Sequence, residues 1–165
     1  MNNSAVGKMR NHFIEQPYSK MALPDPDWLP IRRLADVEVT SEDPARPIEN
    51  VFLRDQSFGW RARGPGQQFI RLRFNRPLTI KRIRLRFAES VSQRTQEYSL
   101  RWSSNEPSSP RHIVRQQWNF SPPCATSQIE DHYVELAAAV MLELNIIPDI
   151  RGSSATASLL QWWIG

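Results

Sequence analysis

At 165 residues, with 40% hydrophobic and 23% charged residues, the chain has the composition of one globular domain and not of a disordered protein. Its longest apolar stretch, residues 136–148, is interrupted by Glu143 and is shorter than the ~18 residues that a membrane-spanning helix requires. Residues 1–24 lack the apolar core of a secretory signal. The single cysteine, Cys124, excludes an intramolecular disulfide, so we expect an intracellular, cytoplasmic location.

The net charge of +4 is unevenly distributed along the chain. Residues 61–115 carry thirteen basic side chains against three acidic ones, whereas residues 116–165 carry one against five. The middle of the chain is therefore strongly basic. Such a block attracts anions at long range, but it specifies neither a fold nor a partner.

Residues 1–34 are predicted to form an N-terminal arm. They contain four prolines and no sustained hydrophobic period, so a stable helix is not expected there. Trp28, Leu29 and Ile31 can pack on the domain that follows, which we expect to span residues 35–165.

Beyond the arm, apolar and polar residues alternate in short runs separated by Pro, Gly, Ser and Asn, which is typical of strands and turns. Residues 70–74 and 83–87 place apolar side chains on one face and arginines on the other. The alternation breaks between these two stretches, which predicts a β-bulge near Lys81 or Arg82. The predicted strands are residues 36–40, 68–74, 78–87, 97–103, 112–120, 132–136, 140–147 and 158–164.

Residues 137–144 could also form a helix, but the even-numbered residues of 140–147 form an unbroken apolar row, which favours a strand. One short helix is predicted at residues 47–53, with Pro47 in its first turn. No clear helical pattern of about ten residues separates two strands, so the sheets are expected to be antiparallel. The predicted fold is all-β: an antiparallel eight-stranded β-sandwich preceded by the arm.

Trp162 and Trp163 are adjacent on a predicted strand. Neighbouring side chains on a strand point to opposite faces, so one of these indoles leaves the core. We expect the N-terminal arm to cover that indole. This is a simpler explanation for an indole outside the core than contact with a ligand.

The sequence contains none of the common catalytic motifs. The nucleophile elbow, the zinc-protease helix, the phosphate-binding loop and the dinucleotide-binding fingerprint are all missing. His12, His112 and His132 are far apart, and Cys124 has no neighbouring base. We therefore expect a noncatalytic chain with no bound metal and no cofactor.

Two polar stretches lie at predicted strand ends, residues 93–97 and 115–120. Guanidinium and amide groups form directed hydrogen bonds, and an aromatic face stacks on the apolar side of a sugar ring. These residue types predict a carbohydrate site, with Arg and the amides donating, Glu97 accepting and Trp118 stacking. The candidate ligand contacts are Arg94, Glu97, Arg115, Gln117, Trp118 and Asn119. The alternative is that these groups satisfy loop carbonyls and that Trp118 belongs to the core.

A second hypothesis assigns a function to the arginines of the alternating strands. Together they would form one positive sheet face that binds a protein partner or nucleic acid. The outward positions between them lack aromatic residues for base stacking, so nucleic acid is the less expected partner. A solvated face is the ordinary alternative. The arginines are Arg71, Arg73, Arg82, Arg84 and Arg86.

Four segments between Ser41 and Phe87 follow one another in a recognisable order. They are Pro47-Ile48-Glu49-Asn50-Val51-Phe52, Gly59-Trp60-Arg61-Ala62, Gly66-Gln67-Gln68-Phe69-Ile70-Arg71-Leu72 and Ile80-Lys81-Arg82-Ile83. This order resembles the discoidin, or coagulation-factor type C, domain, in which a short segment precedes a loop, a Trp opens a strand, a Gly-Gln pair precedes an alternating strand, and a strand with Ile residues follows. In strand order the resemblance covers residues 35–165.

The resemblance implies a galactose-binding-like jelly roll of eight strands, a noncatalytic module that holds its ligand with loops at one end. Members of this family bind galactose-type sugars, lipid head groups or proteins, and intracellular relatives of the same fold bind nucleic-acid breaks or act as adaptors, so the fold alone does not select a ligand. Two features differ from the family. Only Cys124 is present where a disulfide often joins the termini, and Arg54-Asp55-Gln56 lacks the Gly of the calcium loop.

Overall fold

The computed structural model describes residues 28–54, 58–104 and 109–165. These residues form a short helix, a 3₁₀ turn and eight strands, all of whose pairings are antiparallel. The strands are β1 (Ala35–Val39), β2 (Trp60–Pro65), β3 (Gln68–Ala88), β4 (Arg94–Ser104), β5 (Arg111–Phe120), β6 (Ser127–Ile147), β7 (Thr156–Leu159) and β8 (Gln161–Ile164). The helix α1 is Ile31–Leu34, and the 3₁₀ turn is Ile48–Phe52. The all-β antiparallel prediction and the short helical segment near residues 47–53 are confirmed.

The larger sheet has the order β1-β3-β6-β4-β5, and β8 pairs with the second half of β3. Strands β2 and β7 form a separate two-stranded sheet. Strands β3 and β6 are much longer than predicted, because each joins two of the expected strands without a break. Their register shifts between Arg73 and Arg82, and Ala138 has a positive φ of 54° at this bend.

Beyond the bend, the β3–β6 pair folds back over β4 and closes the sandwich. Phe87 of β3 and His132 of β6 both contact Tyr98 of β4, with ring centroids 5.3 and 6.1 Å away. Large apolar side chains fill the space between the layers. The largest fully buried ones include Trp60, Trp162, Tyr98, Phe87, Phe120 and Ile70. Two further features differ from the prediction: the structure contains β2, which the alternation pattern did not predict, and the predicted strand 158–164 divides into β7 and β8.

The predicted bulge is present at Lys81 and Arg82. Their backbone N–H groups both donate to the carbonyl of Gly165, at 2.7 and 2.9 Å. Two donors on one acceptor are the pattern of a bulged strand, in which two residues oppose one on the neighbouring strand. The sequence prediction is therefore confirmed at residue resolution.

Residues 28–34 pack against the end of the chain. The Trp28 ring lies 5.6 Å from that of Trp163, and the Leu29 N–H donates to the carbonyl of Ile164 at 2.7 Å. Ile31 is buried in the core. Trp162 is fully buried, so Trp163 is the indole that leaves the core, and Trp28 lies against it as expected. The domain boundary at residue 35 stays a prediction.

A row of charged side chains crosses the outer face of the five-stranded part of the sheet. Register places Glu38, Arg71, Glu143 and Arg101 side by side on β1, β3, β6 and β4. Glu143 accepts from Arg71 on one carboxylate oxygen, at 2.6 Å, and from Arg101 on the other. Its side chain is only 2% exposed, since the two arginine side chains cover it.

Neither helical segment of the described residues has the length and apolar character that crossing a membrane requires.

Candidate functional site

The predicted ligand contacts lie on the neighbouring strands β4 and β5, close to where β4 begins and β5 ends. Register pairs Thr95 with Asn119, Glu97 with Gln117 and Ser99 with Arg115. These positions alternate with core residues and therefore share the outer face of the sheet. We call Thr95, Glu97, Arg115, Gln117 and Asn119 the β4–β5 polar cluster.

Glu97 organises this cluster. One carboxylate oxygen accepts from Arg115 Nε and the other from Gln117 Nε2, both at 2.8 Å. Hydrogen bonds from Arg115 and then Gln117 hold the pKa of Glu97 below its ordinary value of 4.5. Both oxygens are engaged and the side chain is only 7% exposed, so Glu97 holds Arg115 and Gln117 in position. Its predicted role as an acceptor of sugar hydroxyls stays a prediction.

The outward groups of the cluster are exposed. The Arg115 side chain is 70% exposed, and its terminal nitrogens have no partner among the described residues. Thr95 Oγ1 donates to Asn119 Oδ1 at 2.7 Å, which turns the Asn119 amide nitrogen away from Thr95. The cluster therefore presents two kinds of donor, guanidinium and amide, beside the amide oxygen of Gln117.

Trp118 lies on the other face of β5 from the cluster. It pairs with buried Gln96 and is itself 36% exposed at the sheet edge. Neighbouring side chains of a strand point to opposite faces, so Trp118 cannot stack on a sugar ring that lies on Gln117 and Asn119. The predicted arrangement of one aromatic face with these amides is therefore wrong in geometry.

Arg94 is a structural residue and not a surface contact. Its side chain is 1% exposed, and its Nε donates to Glu89 at 2.8 Å. Its Nη1 donates to Gln96 and to the carbonyl of Pro148, which ties the turn after β6 to β4. Arg94 thus holds the loops beside the cluster in place, and a ligand on the outer face does not reach it.

The sequence analysis missed Thr95, although it lies within the polar stretch 93–97. The signal was available: Thr95 and Glu97 share a face by the period of two, and Thr95 opposes Asn119. The cluster also adjoins the turn after β6 and not the C-terminus. Ile150 donates to the carbonyl of Thr95, whereas Gly165 is bonded to Lys81 and Arg82 of β3.

A second polar group joins the two layers inside the sandwich. The Tyr98 hydroxyl and His132 Nε2 are 2.8 Å apart, and Gln116 and Gln128 both donate to Glu130. Burial lowers the pKa of His132, although the charges of Glu130 and then Asp131 oppose it. Burial and the charge of Glu130 raise the pKa of Tyr98. At neutral pH, Tyr98 therefore donates to a neutral His132 imidazole.

Acidification is expected to weaken the fold through His132. The His132 imidazole takes up a proton more readily in the unfolded chain than in the folded one. The free energy of unfolding therefore falls as the pH drops below the ordinary histidine pKa of 6.5. Melting temperature as a function of pH measures the effect. Above the pH range in which carboxylates titrate, His132→Gln should make the melting temperature less dependent on pH. The substitution His112→Gln, at an exposed histidine, should leave that dependence unchanged. A wild-type curve already flat through that range would contradict the prediction.

The alternating arginines do not form one positive face. Because β3 folds back at its bend, Arg71 and Arg73 lie on one outer surface and Arg82, Arg84 and Arg86 on the opposite one. Carboxylates on neighbouring strands also pair with them. Glu38 and Glu143 bind Arg71, Glu38 binds Arg73, and Asp131 binds Arg82 and Arg84.

Among the described residues no group of three or more His, Cys, Asp or Glu side chains is placed to hold a metal ion. Asp55, where the family's calcium loop would fall, lies outside the described residues. Cys124 is exposed and unbridged.

No protein-family model and no curated protein matches the chain. Solved structures do match it. The CBM32 carbohydrate-binding module of AlyQ, in complex with 4,5-unsaturated mannuronic acid, has a TM-score of 0.58 at 18% identity over 80% of this chain and 95% of that one. The family 32 module of NanJ from C. perfringens, in complex with galactose, has a TM-score of 0.61 at 11% identity over 84% and 97%.

A chitosan-binding module from a Paenibacillus sp. IK-5 chitosanase/glucanase is also similar, with a TM-score of 0.55 at 15% identity over 79% of this chain and 94% of that one. A Ruminococcus gnavus fucosidase matches over 25% of its own chain, so the fold also occurs as part of a larger enzyme. Identities this low establish the fold alone. The chain therefore shares the β-sandwich fold of these carbohydrate-binding modules, which is the fold that the resemblance in sequence implied.

Proposed function

We propose that this chain is a noncatalytic carbohydrate-binding module and that the β4–β5 polar cluster contacts the saccharide. Two observations support the proposal: the fold is shared with modules solved with saccharides, and the cluster holds exposed donors at strand ends. The observation that carries the site is the position of Glu97, whose two oxygens fix Arg115 and Gln117 and leave their outer groups to solvent.

The donors of the cluster define what it can bind. Arg115 and Asn119 offer N–H groups, and Gln117 offers an amide oxygen beside them. Preorganised planar groups lose little rotamer entropy when they bind, which favours weak but specific recognition of oxygen-rich ligands. The ligand is thus a saccharide bound through hydroxyl or carboxylate oxygens.

Arg115 is expected to contribute most to this binding. Calorimetry with galactose, oligogalacturonate, oligomannuronate and chitosan oligomers should reveal a ligand for the wild-type chain. Arg115→Ala should then weaken that affinity about tenfold or more, because a charge-assisted hydrogen bond is lost. Arg115→Lys keeps the charge but not the two-pronged geometry, so its affinity should lie between the two.

Arg63→Ala is the matched control. Arg63 is exposed on β2 and has no side-chain ion pair among the described residues, so its loss should leave the affinity unchanged. Equal losses for Arg63→Ala and Arg115→Ala would mean that net charge, and not the cluster, holds the ligand. If none of the four saccharides binds, the proposed function fails.

Binding without catalysis is the simplest function for such a cluster. Three of the matched structures are modules that this chain covers almost end to end, and their names describe binding. The cytoplasmic location expected from the single cysteine stays a prediction, which cell fractionation with an antibody against the full chain would test.

A further inference from the structure

A depression lies on the outer surface where the bulged residues Lys81 and Arg82 of β3 meet β6, which carries an extra residue of its own at this point. Register pairs Ile80 with Leu136 and Arg82 with Tyr133, so Lys81 alone opposes two residues of β6. The depression has a volume of about 340 Å³ and is lined by Lys81, Tyr133, Val134 and Glu135. Bulges often occur at functional sites because they redirect side chains. We call this depression the bulge site.

Tyr133 presents its aromatic ring at this site. It is 77% exposed, and the Arg82 guanidinium lies over its ring at 5.3 Å. Arg82 is itself fixed, because it stacks on Trp28 at 4.8 Å and donates to Asp131 at 3.1 Å. One face of the Tyr133 ring is therefore covered by an immobilised cation. The other face has no ring or cation against it among the described residues, so it can stack on an apolar surface.

The walls of the bulge site carry opposite charges that are not paired with each other in the described part of the chain. Lys81 and Glu135 are both exposed, and in the described part of the chain neither forms an ion pair. An ammonium donates to hydroxyl oxygens, and a carboxylate accepts from hydroxyl groups. A ligand with a net charge is attracted by one wall and repelled by the other, so the pair suits an uncharged, hydroxyl-rich ring.

We propose that the bulge site binds a neutral pyranose, with its apolar face on Tyr133 and its hydroxyls between Lys81 and Glu135. A ring of this kind is smaller than the depression and combines the apolar and polar groups that the walls present. The inference rests on the proposed carbohydrate function for the class of ligand, but it concerns a separate site.

The two sites lie at different parts of the molecule. The bulge site adjoins the C-terminal Gly165, to whose carbonyl Lys81 donates, whereas the β4–β5 polar cluster adjoins the turn at Ile150. A module with two sites can hold two positions of one polysaccharide or two separate chains. Avidity for a polymer then exceeds the affinity for a single sugar without any new contact.

Amide-resolved NMR of the full chain tests this directly, with galactose and glucose as neutral probes. Galacturonic acid and glucosamine serve as charged comparators. The neutral sugars should shift the amide signals of Lys81, Tyr133, Val134 and Glu135, and both charged sugars should shift them less at equal concentration. Signals of Gln117 and Asn119 report the β4–β5 polar cluster in the same titration, so the two sites are scored separately.

Tyr133→Ala should weaken galactose binding at the bulge site about tenfold, while Tyr133→Phe retains it, because the ring supplies the contact. Glu135→Gln should weaken it by a smaller factor. The control is Ile129→Ala, an exposed residue on the same face of β6, which should change nothing. Thermal unfolding confirms that each variant is folded.

Three results would overturn the inference: no shift at the four residues, shifts that survive Tyr133→Ala in a folded protein, or stronger shifts with a charged sugar. If shifts at Gln117 and Asn119 persist in any of these cases, the proposed function stands without the second site. If only the bulge-site residues shift and Arg115→Ala has no effect, the second site stands and the assignment of the polar cluster fails.

Discussion

Replacing Glu143 with glutamine is expected to lower the free energy of unfolding by about 3 kcal/mol. The substitution keeps the shape of the side chain but leaves the guanidinium groups of Arg71 and Arg101 close together without their shared counter-ion. Both arginines are about one-third exposed, so water relieves part of this repulsion, and the loss lies at the lower end for a broken buried pair. Urea denaturation of both proteins at neutral pH measures it.

Glu38→Gln is the matched control, because Glu38 lies in the same row and pairs with Arg71 and Arg73. Its side chain is half exposed, so the loss should be much smaller. Similar losses for the two variants would show that burial of Glu143 contributes nothing.

The difference between wild type and Glu143→Gln should also depend on pH. Burial alone would raise the pKa of Glu143, but hydrogen bonds from Arg71 and Arg101 outweigh it and hold the pKa below its ordinary value of 4.5. A lowered carboxyl pKa contributes stability that is fully present above 4.5 and is lost as the pH falls through the folded-state value. The gap between the two proteins should therefore narrow in acid, and a constant gap would contradict the ionic explanation.

Much of the fold is local and could be read from residue order. The period of two in 70–74 and 83–87 predicts half-buried strands, and the broken phase between them predicts the bulge at Lys81. The length of β3 and β6 could not be predicted, because residues 75–77 interrupt the apolar alternation while the backbone hydrogen-bond ladder resumes beyond the bend. Whether these two strands continue across the bend depends on hydrogen-bond partners on neighbouring strands, which are distant in sequence.

The candidate site was predicted in composition but not in arrangement. Alternation alone separates Trp118 from Gln117 and Asn119, so that error was avoidable from the sequence. The burial of Arg94 was not, because it depends on Glu89 and the carbonyl of Pro148, which the fold supplies from other loops. Charged residues are seldom buried unless paired, and pairing is a property of the tertiary structure.

The last prediction concerns the start of the domain, which the sequence places at residue 35. Ile31→Ala is expected to lower the free energy of unfolding by about 3 kcal/mol, the cost typical of emptying a buried isoleucine site. Ile31 is 3% exposed and belongs to the core, and the preceding Leu29 is bonded to Ile164.

Arg32→Ala, on the exposed side of the same helix α1, should lower the free energy of unfolding only slightly. That result would assign the loss in Ile31→Ala to the buried side chain and not to a disturbed helix. If both variants unfold at the wild-type urea concentration, residues 28–34 are an arm resting on a complete domain, and the boundary at 35 is right. A loss confined to Ile31→Ala instead makes these residues part of the sandwich. In that case, Trp28, Leu29 and Ile31 stabilise β8 and, through Arg82, the position of Tyr133.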